Sequence, residues 1–220
     1  MNVATKMLKA LENEGVQYIY GVPGEENEAF LLALKHSTIR FIPTRHEQGA
    51  AFMANVWGRL TGTCGVCLST LGPGATNLIT GLADAHLDKA PVVAITAQGE
   101  MERIHHESHQ MLDVIDMFKP TVKWNARITH PSIMPEIVRK AFKTAQWEKP
   151  GVTHIELPEN IAGMDAIEEA HLLEVTSLSL PYPSTIEIDK VASLIDKAEK
   201  PLILAGNGII RQDACDTLAA

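Results

Sequence analysis

The chain has 220 residues, 45% of them hydrophobic and 21% charged, with 15 glycines and 12 prolines, a make-up that excludes disordered and fibrous classes. Its formal net charge of -8, without a clustered excess of Lys and Arg, excludes a general nucleic-acid-binding surface and points to small molecules as partners. No basic and apolar leader opens the chain and no apolar run reaches membrane-spanning length, so the expectation is an unexported, cytoplasmic protein with no membrane partner.

In chain order, Val3, Met7, Leu8 and Leu11 recur at helical spacing ahead of Gly15, predicting a first helix. Tyr18-Ile19-Tyr20 reads as a strand that ends in the turn Gly21-Val22-Pro23-Gly24, and Ala29, Phe30, Leu31 and Leu34 resume helical periodicity. The same unit recurs from Ile39–Ile42 into a helix at Glu47, and from Val66–Ser69 into a helix after Gly74. Val92–Thr96 predicts a strand leading into a long polar loop, Gln98 to Gln110, that carries His105, His106 and His109. Thr121–Ile128 reads as a strand, Ile133–Gln146 as a helix and Val152–Leu157 as a further strand. Strands alternating with helices imply an α/β fold, a doubly wound parallel sheet with helices on both faces.

Beyond Pro158 the pattern stops. The expected organisation is one domain over 1–160, a linker over 161–185 stiffened by Pro181 and Pro183, and the truncated start of a second α/β domain over 186–220. That start comprises a helix over Ile186–Ala198 and a strand over Leu202–Ala205, and its unfinished look suggests a fragment of a longer protein.

Three turns fall at the C-terminal ends of expected parallel strands, where open α/β sheets place ligands: Gly21 to Gly24, Arg45 to Gln48, and Gly72 to Asn77. Glycines there let the backbone approach a flat ligand, and Pro fixes the chain direction. Glu47 stands at a helix start before a small, apolar run; any Glu there is also favoured by the helix dipole. Cys64 and Cys67 have CxxC spacing but lack a second ligand pair for zinc and a following helix start, so they read as structural thiols in a reducing compartment. The three loop histidines fit no standard metal spacing, and no metal ligand is assigned. Gly206-Asn207-Gly208 is followed by Arg211 where a dinucleotide fingerprint needs glycine.

Taken together, GVPGEEN, RHEQGAAFMA, LGPGATNLITGLADAHLDKAPVVAIT and HQMLDVIDMFKPTVKW, in this order, resemble the N-terminal domain of the thiamine diphosphate-dependent 2-oxo-acid enzymes. The similarity is closest to the acetolactate synthases, and His109-Gln110 ahead of Asp113 resembles the catabolic, flavin-independent type. It implies that Glu47 meets a ring nitrogen of the cofactor's aminopyrimidine and promotes the tautomer that activates the thiazolium. It also implies that Pro23 and Gly24 pack against the pyrimidine, that Thr70, Pro73 and Asn77 line its pocket, and that Gln110 faces the substrate. Leu71, where a small Ser is common, and Val22, where relatives carry an aromatic, depart from the pattern.

The activity implied is decarboxylation of pyruvate and ligation of the resulting enamine to a second 2-oxo acid, as in acetolactate synthase. The alternatives are another 2-oxo-acid decarboxylase or oxidase of the family, or a non-catalytic binding module with this fold. Thiamine diphosphate and Mg2+ would be anchored by a C-terminal domain outside this sequence, so the isolated chain is expected to be inactive, and FAD has no support in these residues. The resemblance implies a second copy of the chain as partner, in a homodimer or tetramer, because the family's pyrimidine domains meet across an interface, and Ala50, Ala51 and Ala54 would otherwise be exposed.

Overall fold

The computed structural model describes residues 1–177 and 181–220, which fall into two compact units, Met1–Leu178 and Ser179–Ala220. In the first unit six strands form one all-parallel sheet: β1 (Tyr18–Gly21), β2 (Arg40–Pro43), β3 (Gly65–Ser69), β4 (Val92–Gln98), β5 (Trp124–Arg127) and β6 (Val152–Pro158), in the order β2-β1-β3-β4-β6-β5. The central strands β3, β4 and β6 are buried along their whole length, as expected of a parallel sheet covered on both faces.

Alternation along the strands divides the interior into two cores. Ile19, Val66, Leu68, Val93, Ile95, Ile155 and Leu157 point to one face, where they meet α1 (Val3–Asn13), α2 (Glu28–Leu34) and α6 (Met134–Gln146). Tyr20, Cys67, Val92, Ala94 and Val152 point to the other, beneath α3 (Glu47–Thr61), α4 (Gly72–Leu87) and α5 (Val114–Phe118). The doubly wound architecture expected from the sequence is the one observed.

Local chemistry sets the helix limits. The side chain of Asn2 accepts from the Thr5 backbone N–H at 2.9 Å to start α1, and Gly15 follows its end at a φ of +82°, in the left-handed region that favours glycine. His46 caps α3 through Nδ1, and Gly62 closes it in the left-handed region. In α6 (Met134–Gln146), Ile137, Val138, Ala141, Phe142 and Ala145 form one buried stripe.

Helix α3 lies unusually close to its neighbours. A Cβ on Gly65 would stand 2.0 Å from the Ala54 carbonyl oxygen, one on Gly58 2.4 Å from that of Pro91, and one on Gly81 2.6 Å from the Ala51 Cβ. These glycines draw α3 onto the sheet and onto α4, which corrects one expectation. Ala50, Ala51 and Ala54 are fully buried inside the unit and need no second copy to cover them. The exposed side of α3 carries Phe52, Met53, Val56 and Leu60 instead.

Three further differences have local causes. The strand expected from Thr121 starts only at Trp124, because Lys119-Pro120-Thr121 forms a 3-10 turn in which the Thr121 hydroxyl donates to the Phe118 carbonyl at 3.0 Å. After Pro158 a short helix, α7 (Glu159–Gly163), continues the chain. Residues 164–177 then run back beside α1, with Val3 N–H donating to the Met164 carbonyl and Asn13 Nδ2 to the Leu173 carbonyl. In the second unit, α8 (Thr185–Asp196) opens with a reciprocal Ser184–Glu187 capping box and is followed by α9 (Gly208–Arg211) and α10 (Cys215–Ala219). Leu202–Ala205 forms no strand: the described residues of this unit offer no second strand for a ladder.

Candidate functional site

β1 lies between β2 and β3, so the chain leaves it in one direction and returns on its other side. The C-terminal ends of β1 and β3 are therefore a switch point, where open α/β sheets place ligands. The backbones of the two turns there are nearly in contact. A Cβ on Gly21 would be 2.4 Å from the Leu68 carbonyl oxygen, and one on Gly24 would be 2.5 Å from the Thr70 Cβ. The turn is held by buried Asn27, whose Oδ1 accepts from the Gly24 N–H at 3.0 Å.

Glu47 occupies the first turn of α3 and is buried at this edge. Its Oε2 accepts from Asn77 Nδ2 at 3.0 Å across the α3–α4 contact, while Oε1 has no hydrogen-bond partner among the described residues. A Cβ on Gly74 would lie 2.8 Å from Thr70 Cγ2 and 3.4 Å from Glu47 Oε1. Gly24, Thr70, Gly74, Glu47 and Asn77 thus form one contiguous cluster drawn from two loops and two helices. Leu71, at the N-cap of α4, has no side-chain acceptor for the helix's first amides.

Gln110 reaches the same neighbourhood through its backbone. Gly72 adopts φ +46°, and a Cβ there would strike the Gln110 carbonyl oxygen at 2.1 Å, so only glycine admits this crossing. Gln110 itself sits at φ +57° with its side chain exposed. Pro23 and Pro73 are exposed and joined to the cluster by chain adjacency to Gly24 and Gly74.

Sequence reasoning named the Gly72–Asn77 turn as a whole without singling out its glycines, and it passed over Glu26. Glu26 accepts a hydrogen bond from the Thr70 hydroxyl at 2.5 Å, which fixes that hydroxyl's proton and leaves its lone pairs to face elsewhere. Gly72 and Gly74 form the cradle itself. The Gly-rich turn was the available signal for the glycines, whereas nothing local in GVPGEEN distinguishes Glu26 from Glu25.

The remaining motifs lie apart from this chemistry. His105, His106 and His109 are exposed, and among the described residues no group of three His, Cys, Asp or Glu side chains is placed to hold a metal. Cys64 and Cys67 are free and buried, and burial pushes both thiols up to about 12, so neither is a thiolate at neutral pH. A concavity of about 500 Å³ lined by Tyr20, Phe52, Met53, Val56, Trp57, Leu60 and Thr61 lies along the outer side of α3, away from Glu47. Among the described residues no helix is long and apolar enough to cross a membrane.

The buried Glu47 carboxylate, with one oxygen unbonded, thus stands beside glycine-bearing turns at a sheet switch point, where open α/β sheets place ligands. Residues 1–117 match the family model described as thiamine pyrophosphate enzyme, N-terminal TPP binding domain, and the chain belongs to that family. It is 41% identical to a probable acetolactate synthase large subunit of Methanococcus aeolicus, over 99% of this chain and 37% of the relative. It is 36% identical to a catabolic acetolactate synthase of Raoultella terrigena (92% of this chain, 36% of the relative) and 33% identical to a glyoxylate carboligase of Escherichia coli O157:H7 (99% and 37%). The chain thus spans a little over a third of the length of these relatives.

The residues present fit the pyrimidine end of thiamine diphosphate. Gly24 and Gly74 both pack against Thr70, which brings the two turns together beside Glu47, and Glu47 Oε1 is an unoccupied acceptor at that margin.

Proposed function

We propose that this chain is the pyrimidine-binding, glutamate-bearing part of an acetolactate synthase-like enzyme that decarboxylates pyruvate and joins the two-carbon unit to a second 2-oxo acid. The observation that carries the reading is the Glu47 carboxylate, buried, held through Oε2 by Asn77 and open at Oε1. A carboxylate so placed can share a proton with a ring nitrogen brought to Oε1, and its fixed orientation removes the need to reorganise during the transfer. The cofactor, when bound, supplies the electron sink for decarboxylation.

In this reading Pro23, Gly24, Thr70 and Pro73 shape the pocket around the pyrimidine, Asn77 aims Glu47, and Gln110 faces the substrate. Residues 1–160 act as the pyrimidine domain, 161–185 as the linker and 186–220 as the opening of a middle domain, in a cytoplasmic enzyme. Diphosphate and Mg2+ are held by residues outside this chain, so the 220-residue chain alone turns over no pyruvate.

A second copy is the proposed partner, seated on the apolar outer side of α3, where Val56 is 51% and Leu60 81% exposed. Aliphatic side chains this open on one helix are a docking face when they cluster, as they do around the concavity there.

The similarity to a glyoxylate carboligase supports a second reading within the family, with glyoxylate as the 2-oxo acid. Product analysis of the complete enzyme separates them: 2-acetolactate from pyruvate supports the first, carboligation of glyoxylate with pyruvate untouched supports the second. Failure with every 2-oxo acid would leave a non-catalytic binding module.

A further inference from the structure

Between β4 and α5 the chain makes the long polar excursion that carries Gln110, and one buried side chain grips both of its ends. Gln98, the last residue of β4, is 1% exposed. Its Nε2 donates to the Leu112 carbonyl at 3.0 Å, and its Oε1 accepts from the Gly99 N–H at 3.0 Å. The first residue of the loop and a residue near its last turn are therefore fastened to the same amide group. Because one partner needs a donor and the other an acceptor, only one orientation of the amide satisfies both.

That orientation is itself held. Nε2 also donates to Glu156 Oε1 at 3.2 Å, and the other oxygen of Glu156 is paired with Arg127 Nε. Glu156 is fully buried on β6, and Arg127 sits beside it in the register of the edge strand β5. A carboxylate has two oxygens, and here each serves a different donor, so the three side chains form a closed strut across the C-terminal ends of β4, β6 and β5. Two residues before the gripped Leu112, the carbonyl of Gln110 packs on Gly72 at the head of α4. The same helix carries Asn77, the partner of Glu47.

We propose that Gln98, oriented by Glu156 and Arg127, is a positioning residue that sets the loop over 99–113 and through it places Gln110 relative to Glu47. This rests on the reading of Gln110 as a substrate-side residue. A second tie, Arg103 joining Ser108 and Glu159, stiffens the loop's middle but reaches neither of its ends.

The test is Gln98→Met, which keeps the volume and removes all three hydrogen bonds. Amide hydrogen exchange on this chain is expected to speed up in peptides covering 99–113 while those in β4 and β6 keep wild-type protection. In the complete enzyme, misplacement of Gln110 is expected to raise KM for the 2-oxo acid roughly ten- to hundredfold with a smaller change in kcat. Gln98→Met combined with Gln110→Ala should then be no worse than Gln110→Ala alone, because both act through one group. Unchanged exchange over 99–113, exchange that rises equally through the sheet, or additive kinetic losses would each overturn the proposal. Local loosening with KM unchanged in both single variants would support the strut and remove instead the substrate-side role of Gln110.

Discussion

Asn77 and Glu47 meet from two different helices, the amide of one donating to the carboxylate of the other at 3.0 Å, so α4 aims a group that α3 carries. The carboxylate is largely buried, and the amide occupies one of its oxygens. In the proposed function the free oxygen is the one that meets the ligand.

Replacing Glu47 by Gln keeps the size and one acceptor but removes the group able to take a proton. In the complete enzyme turnover should fall about a hundred- to ten-thousandfold, the range of a general acid–base contribution, with a smaller loss of cofactor affinity. Hydrogen–deuterium exchange at the reactive carbon of bound cofactor checks it, with circular dichroism to confirm folding. Fast exchange in the variant would mean that the carboxylate serves only the helix start.

Asn77→Ala should leave Glu47 in place but unaimed. One neutral-to-charged hydrogen bond contributes about 1.5–3 kcal/mol where it is well formed, and this one involves an exposed partner, so a kcat loss of about ten- to thirtyfold is expected. An effect as large as that of Glu47→Gln would show that Asn77 does more than orient.

Gly74→Ala sets two effects against each other. Alanine favours the helix by up to about 1 kcal/mol, but its Cβ would lie 2.8 Å from Thr70 Cγ2, and overpacking of that kind costs about 1–3 kcal/mol. The single variant should be less stable than wild type. Thr70→Ser, which removes Cγ2, should reverse the sign in the double variant, and urea midpoints of the four proteins complete the cycle.

His154 gives a pH dependence of stability. Its Nε2 shares a hydrogen bond with the Thr96 hydroxyl, its ring packs on Phe118 at 4.4 Å, and burial, aided by Arg127, holds its pKa down to about 3. The charged group that acts on it is Arg127, part of the strut. Since the unfolded chain takes up this proton near pH 6.5 and the folded chain does not, stability should fall as pH drops below 6.5, by about 1.4 kcal/mol per pH unit. Glu156, raised by burial, works in the opposite sense at the acid end of that window. Urea unfolding at pH 7 and pH 5 should show the loss in the wild type and a flatter profile in His154→Asn.

Val56→Glu tests the docking face on α3. The side chain is half exposed, so folding should survive, while a dimer seen by sedimentation should become a monomer. A wild-type chain that is monomeric at high concentration would remove the proposal for this face.

Much of the fold was legible because β-rich apolar runs alternate with helical stripes, and Glu47 stands where one gives way to the other. The failures share a cause. Leu202–Ala205 is an apolar run like Val92–Thr96, but a strand exists only with a neighbour to bond, and local pattern carries no record of one. The stripe Ala50, Ala51, Ala54 is equally suited to a subunit contact and to a close internal crossing; the deciding residue is Gly81, on another helix. Gln98 and Glu156 are 58 positions apart, on strands that the sheet order makes neighbours, so neither announces its role in sequence.

The glycines beneath α3 also make the helix a fixed mount. With Gly58, Gly65 and Gly81 leaving no slack between it and its supports, the helix can be neither slid nor tilted without backbone collisions. Its first turn bears Glu47, and its outer flank bears Phe52, Val56 and Leu60. A helix seated this firmly holds its first-turn carboxylate at one place on the sheet edge, whatever lies against its outer flank.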